Sequence, residues 1–156
     1  MTALFASLAI VLSGVHIPVG PFKAFPFQHM ANAVAGVVIG PWYAALSALI
    51  AAIIRNALGT GTIFAFPGGI PGGIIVGLVY LWVRRDWAAW TEPIGTVFIG
   101  VGLSVLVFGP VMGRQVALYT FLIAFTLSSV AGAGIGYFIL KTLRKAKVLH
   151  HELMGI

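Results

Sequence analysis

Residues 14–32 read GVHIPVGPFKAFPFQHMAN, and this stretch decides what kind of molecule the chain makes. Most of the rest is uncharged and apolar. Here two histidines, a lysine, a glutamine and an asparagine crowd together with three prolines and three phenylalanines. A chain that lives among apolar groups keeps polar ones together only for a reason, because each is costly to bury. The reading taken here is a small-molecule site at the outer face of a membrane bundle. This stretch supplies one wall and part of a lid, and residues 55–73 supply the opposite wall.

Working outward, composition supports the membrane setting. Of 156 residues, 60% are hydrophobic and 8% charged, with a mean hydropathy of +1.08. Soluble domains carry about 25% charged residues, and a small soluble domain has too few interior positions to bury this much apolar surface. A bilayer removes the problem. With no polar linker, residues 1–156 read as one integral membrane domain. Cysteine is absent, which excludes disulfides, thiolate nucleophiles and cysteine-based metal sites. A net charge of +6 in a soluble protein would point to nucleic acid. Here six of the nine basic residues fall in two short segments, so the charge is assigned to membrane orientation and no nucleic-acid partner is expected. The N-terminus lacks a positive leader region and is kept as a membrane helix.

The expected fold is all-α: a six-transmembrane-helix bundle with helices at about 1–15, 28–40, 41–57, 70–84, 93–109 and 115–145. Gly40-Pro41 separates the second and third, since proline suits a first helical turn. Trp42 and Tyr43 are placed as an interfacial aromatic pair. Residues 59–69, GTGTIFAFPGG, read as a loop. The second and third helices are shorter than the ~20 residues a crossing needs. Irregular segments must complete them, and such backbone survives only where protein or a water-filled cavity covers it. Gly132, Gly134 and Gly136 follow no strand and read as a close-packing face, not a nucleotide loop. Six helices put Arg84, Arg85, Lys141, Arg144, Lys145 and Lys147 on the side of both termini, and Lys23, Arg55 and Arg114 on the other. The positive-inside rule then makes both termini cytoplasmic.

On the second helix Gln28, His29 and Asn32 share a face. Arg55 and Asn56 approach from the third helix, and His16 ends the first. These six are the candidate substrate-binding polar residues, roofed by Phe25, Phe27 and Phe66, with Phe22 and Phe64 flanking. The competing structural reading is that Asn32 and Arg55 satisfy loop carbonyls, that Arg55 snorkels, and that the phenylalanines form an interfacial belt. Ala24-Phe25-Pro26 recurs as Ala65-Phe66-Pro67, which reads as two similar aromatic turns over one opening. His16 and His29 have no carboxylate or thiolate beside them, so no metal is expected; no cofactor is expected either. The acidic residues Asp86, Glu92 and Glu152 are read as cytoplasmic or in the tail. On that reading no intramembrane carboxylate carries a proton or sodium, and no catalytic triad can be assembled. Uphill transport would then draw on another polypeptide. Small residues on the first helix, Ala3, Ala6 and Ser7, are the candidate docking surface for it.

Two runs carry a resemblance: SGVHIPVGPFKAFPFQHMANAVAGVVIGPWYA at 13–44 and RNALGTGTIFAFPGGIPG at 55–72. Together with six short helices and a small-residue first helix, they resemble the substrate-binding S component of energy-coupling factor (ECF) vitamin transporters, and within that group the ThiW family. The resemblance implies uptake of a small heterocycle, the hydroxyethylthiazole precursor of thiamine, across a prokaryotic plasma membrane. It also implies a transmembrane coupling protein and two cytoplasmic ATPases as partners, beside membrane lipid. The Ala-xxx-Ala pattern of S components is softened here to Ala3-xxx-Ser7. A membrane-embedded enzyme is disfavoured by the missing catalytic groups. A structural or channel-like protein is the other reading, and the near absence of polar residues on the fourth and fifth helices speaks against a channel.

Overall fold

The computed structural model describes residues 1–19, 22–113 and 118–149; the side chains of Val19 and Phe22, and the residues Arg114 and Glu152, lie outside the described set. Within it the chain forms α1 (Thr2–Leu12), a hairpin of β1 (Ile17–Val19) and β2 (Phe22–Ala24), α2 (Pro26–Ile39), α3 (Pro41–Ala57) and α4 (Ala65–Val83). A composite helical segment α5 (Asp86–Val111) and the long α6 (Leu118–Lys145) complete it. Helices α4, α5 and α6 are long and apolar enough to cross a membrane. Their outward side chains are apolar: Trp82, Leu106 and Phe98 are 88%, 77% and 76% exposed. In water such a surface would be an aggregation site, and in lipid it is the contact surface.

The centre of the bundle is α2. It is buried almost without interruption from Gln28 to Val37, and it packs against α1, α3, α4 and α6. Close approach is made possible by small residues. A Cβ on Gly132 would lie 2.4 Å from the Pro26 carbonyl oxygen, and one on Gly136 3.1 Å from the Ala33 Cβ, so both of these α6 glycines serve as a packing face against α2. Gly132 sits at the middle of the 28-residue α6. The start of α2 is therefore at mid-depth of the longest helix, not at the end of the bundle. The β-hairpin leads into that point, with Ile17 opposite Ala24 and Pro18 opposite Lys23. Proline cannot donate to a ladder and is tolerated in so short a two-stranded edge.

Several helix limits differ from the sequence expectation. α1 stops at Leu12, where Ser13 turns its hydroxyl back onto the Ile10 carbonyl at 2.6 Å, so His16 lies beyond the helix. α2 begins at Pro26, not 28, with proline in its first turn. The stretch read as a loop up to residue 69 is helical from Ala65. Pro67 falls in the first turn, where an N–H is dispensable. Pro71, inside the helix, removes the donor that would meet the Pro67 carbonyl. Gly100 of α5 approaches that carbonyl so closely that a Cβ would stand 2.5 Å from it. Thus a sequence with loop composition is held helical by its neighbours. The repeated Ala-Phe-Pro is for the same reason not a repeated turn: Phe25 precedes a helix and Phe66 lies within one. Finally, α5 starts at Asp86, not 93, as a 3₁₀ segment over Asp86–Thr91 and then π-helical turns over Ile94–Gly100 and Ser104–Phe108.

Candidate functional site

Near mid-depth, α2, α3, α4 and α5 meet along a polar seam. At one end is Arg55, 1% exposed in the last turn of α3. Its Nη1 donates to the Gln28 Oε1, its Nη2 reaches the Thr60 carbonyl at 3.4 Å, and its guanidinium carbon stands 4.5 Å from the centre of the Phe25 ring. Next along the seam, the Asn32 amide donates to the Gly69 carbonyl at 3.0 Å. Gly69 has no side chain to obstruct this; its Cβ would lie 3.0 Å from Gln28 Nε2. The other end is on α5. His29 Nδ1 lies 2.8 Å from Glu92 Oε1, and the Thr96 hydroxyl lies 2.7 Å from the same oxygen and 2.9 Å from the Gly68 carbonyl. A hydroxyl has one proton, so Thr96 donates to one of these at a time. Glu92 and Thr96 have no exposed surface, and Gly72 makes room for both: a Cβ there would fall 2.3 Å from Glu92 Oε1.

The candidate residues separate into two groups. Gln28, Asn32 and Arg55 are brought together in the seam, with Phe25 half-buried beside them; Phe27 is half-buried too but packs against the apolar core. Phe66 is half-buried at the start of α4. His29 is also in the seam, but its ring nitrogen is taken by Glu92. His16 is exposed in the approach to the hairpin, with its ring 5.8 Å from that of Phe25 and its Nδ1 3.3 Å from the Gly14 carbonyl oxygen. The Asn56 amide is spent on the Ala52 and Thr62 carbonyls at 2.8 and 3.0 Å, closing the end of α3.

The expectation that no carboxylate lies inside the bundle is overturned by Glu92, the fully buried partner of His29. Proximity in sequence to Arg84, Arg85 and Asp86 placed it at a charged end. The 3₁₀ start of α5 instead carries the chain back into the core before Glu92 is reached. A signal was available: Glu92, Thr96 and Ser104 recur at intervals of four and eight, one face of a helix, and all three are fully buried. α5 therefore does carry a polar stripe, satisfied internally, with Ser104 bonded to the Gly100 carbonyl at 2.7 Å. Also missed were Phe121 and Phe125 of α6, which continue from Phe64 as an aromatic cluster with ring centroids 4.7 and 5.3 Å apart. Among the described residues no group of three His, Asp or Glu side chains is disposed to hold a metal ion.

On α1, Ala3 and Ser7 face outward with Leu4, Leu8 and Val11. Ala6 does not join them. It is 2% exposed and packs into the chain's own core with Phe5 and Ala9, so the docking surface anticipated on α1 excludes it.

Long apolar helices around a buried polar seam define a helical membrane protein. The chain belongs to the ThiW family, described as thiamine-precursor transporter protein, which matches residues 1–146. Neither a curated protein nor a solved structure matches it.

Proposed function

We propose that this member of a thiamine-precursor transporter family is the substrate-binding S component of an ECF-type importer, and that it takes up hydroxyethylthiazole. The observation that carries the substrate reading is the seam of Gln28, Asn32 and Arg55 beside Phe25. Its donors and acceptors are mostly uncharged and its aromatic neighbours are flat, which fits a small neutral heterocycle held by apolar area and oriented by a few polar groups. Phe27 and Phe66 complete the enclosure in this reading. The six helical stretches then cross the plasma membrane of a prokaryote with both termini cytoplasmic. Six basic residues fall at the ends of α4 and α6, which Arg144 and Asp86 bring together. The partners are a transmembrane coupling protein, docked on the Ala3 and Ser7 face of α1, and two ATPases.

A second reading is favoured by one observation. Glu92 and His29 form a buried protonatable pair, so the argument that energy must come from elsewhere no longer follows from composition. In that reading the chain is a carrier driven by a proton gradient. One experiment separates the two. Mass spectrometry identifies the ligand that co-purifies with the detergent-solubilised protein, and uptake of that ligand is then followed in vesicles. An S component shows no accumulation alone and gains it with ATP and the coupling module, and Ala3→Trp with Ser7→Trp abolishes the gain. Accumulation by the chain alone, collapsed by a protonophore, establishes the carrier. Co-purification of no heterocycle removes the substrate reading.

A further inference from the structure

Two atoms of the seam have no partner and no solvent: Nε of Arg55 and Oε2 of Glu92. They are opposite in kind, one a donor and the other an acceptor. Each side chain is otherwise held in place. Arg55 is fixed by Gln28, Thr60 and the Phe25 ring, and Glu92 by His29 and Thr96 through its other oxygen. A buried donor or acceptor left unpaired carries its full desolvation cost, so two in one seam call for an account.

The spacing along α4 relates them. Gln28, which holds Arg55, packs on Gly69, and Glu92 packs on Gly72. Positions three apart on a helix have Cβ directions about 5–6 Å apart, so the Gln28 amide and the Glu92 carboxylate lie within about 11 Å of each other on one flank of α4. No α4 side chain projects at either glycine. Among the described residues no ion pair joins Arg55 to Glu92.

We propose that Glu92 is the second pole of the ligand site. Its free oxygen accepts a hydrogen bond donated by the hydroxyl of a small heterocyclic alcohol whose ring nitrogen accepts one from Arg55 Nε, while His29 and Thr96 are positioning residues that hold the carboxylate. Glu92 thereby selects ligands that carry a hydroxyl donor. The proposal rests on the reading that a hydroxyalkyl heterocycle is the ligand, and it makes Glu92 the residue that discriminates among heterocycles.

The test compares two probes on the purified full chain by calorimetry: 4-methyl-5-(2-hydroxyethyl)thiazole and its deoxy analogue 5-ethyl-4-methylthiazole. The wild type is expected to prefer the alcohol by roughly 10- to 100-fold, the range for a hydrogen bond to a charged group. Glu92→Met should bring the two affinities together, and Thr96→Val should narrow the gap. Gln28→Ala should weaken both probes and keep their ratio. Equal binding of the two probes by the wild type overturns the role of Glu92 and leaves the heterocycle reading standing. Binding of neither overturns that reading and the proposal with it. A folded Glu92→Met protein that keeps the full preference overturns the proposal alone. If Glu92→Met does not fold, the wild-type ratio and Thr96→Val decide: an unchanged ratio in Thr96→Val overturns the positioning.

Discussion

At one end of the bundle Arg144 of α6 meets Asp86 of α5 directly, Nε to Oδ1 at 2.5 Å, and its Nη2 donates to the Tyr80 hydroxyl of α4 at 2.7 Å. Near mid-depth Arg55 and Glu92 are each buried and each held by neutral groups or an imidazole. An unpaired buried atom is common to both regions, since Arg144 Nη1 lacks a partner as Arg55 Nε and Glu92 Oε2 do, so the contrast lies in the direct pairing of arginine with carboxylate. The end cluster is a clasp. Opposite charges touch, three helix ends are tied, and both side chains keep some solvent, at 17% and 15% exposure. The central seam has the same kinds of charge and does not let them cancel. Burying an ion costs several kcal/mol even after relaxation, and only good direct pairing offsets it. A seam in which Arg55 meets no carboxylate and Glu92 meets only His29 is a weaker stabilising device than the clasp. The difference separates charge used to fasten helices from charge held ready for something else.

The largest effect is expected from closing the space in which the seam sits. Gly72→Ala places a methyl 2.3 Å from Glu92 Oε1 and 2.7 Å from Thr96 Oγ1, side-chain ends that can retreat only by giving up their hydrogen bonds to His29 and the Gly68 carbonyl. Overpacking of this kind costs about 1–3 kcal/mol. Thermal unfolding in detergent should fall accordingly, and ligand binding should be lost. Gly102→Ala, where nothing lies within 4 Å, is the matched control and should melt as the wild type does. Equal melting of the two variants would mean that α5 does not press on α4 as described.

Arg55→Met sharpens the comparison more directly. If the central charge is there for a ligand, its removal should weaken binding by about one to two decades. Stability should change little, because the cost of desolvating a guanidinium disappears along with its hydrogen bonds. Calorimetric binding and thermal melting on one preparation read both quantities. A protein that melts well below the wild type and binds normally when folded would make the seam a second clasp.

The membrane class and the mostly helical character were legible because they depend on composition and on Gly-Pro punctuation, which act locally. The seam was half legible. Gln28 and Asn32 stand out as amides in an apolar helix, and Arg55 as a charge at the end of the next, so their meeting follows from two adjacent elements. Glu92 was not legible, because its place depends on where the chain re-enters the core after Asp86. That turn is set by 3₁₀ and π-helical geometry, which leaves no simple apolar period. Residues 65–69 failed for a related reason. Pro67, Gly68 and Gly69 have loop composition, and they become helix only when Gly100, Thr96 and Asn32 cover their carbonyls. The hairpin at 17–24 was hidden in a proline-rich stretch that gives no two-residue alternation. Ala6 and Ala3 are both small residues of α1, and composition alone cannot say which of them turns inward.

The smallest effect belongs to the clasp. Arg144 and Asp86 retain solvent, and pairs of this exposure contribute about 0–1 kcal/mol. Arg144→Met should therefore lower stability by less than about 1 kcal/mol and leave ligand affinity as it was, since Tyr80 lies about three helical turns along α4 from Gly69 and the bonds of Arg144 run to Asp86 and Tyr80, not to a residue of the seam. The attraction should also be salt-sensitive: at 1 M salt the screening length is about 3 Å, and much of the wild type's advantage should vanish. A double-mutant cycle of Arg144→Met with Asp86→Asn, melted at low and high salt, isolates the pair from the Tyr80 hydrogen bond. A coupling of several kcal/mol that ignores salt would place the clasp in a dry environment like that of the seam, and the contrast between the two regions would then rest on pairing alone and not on burial.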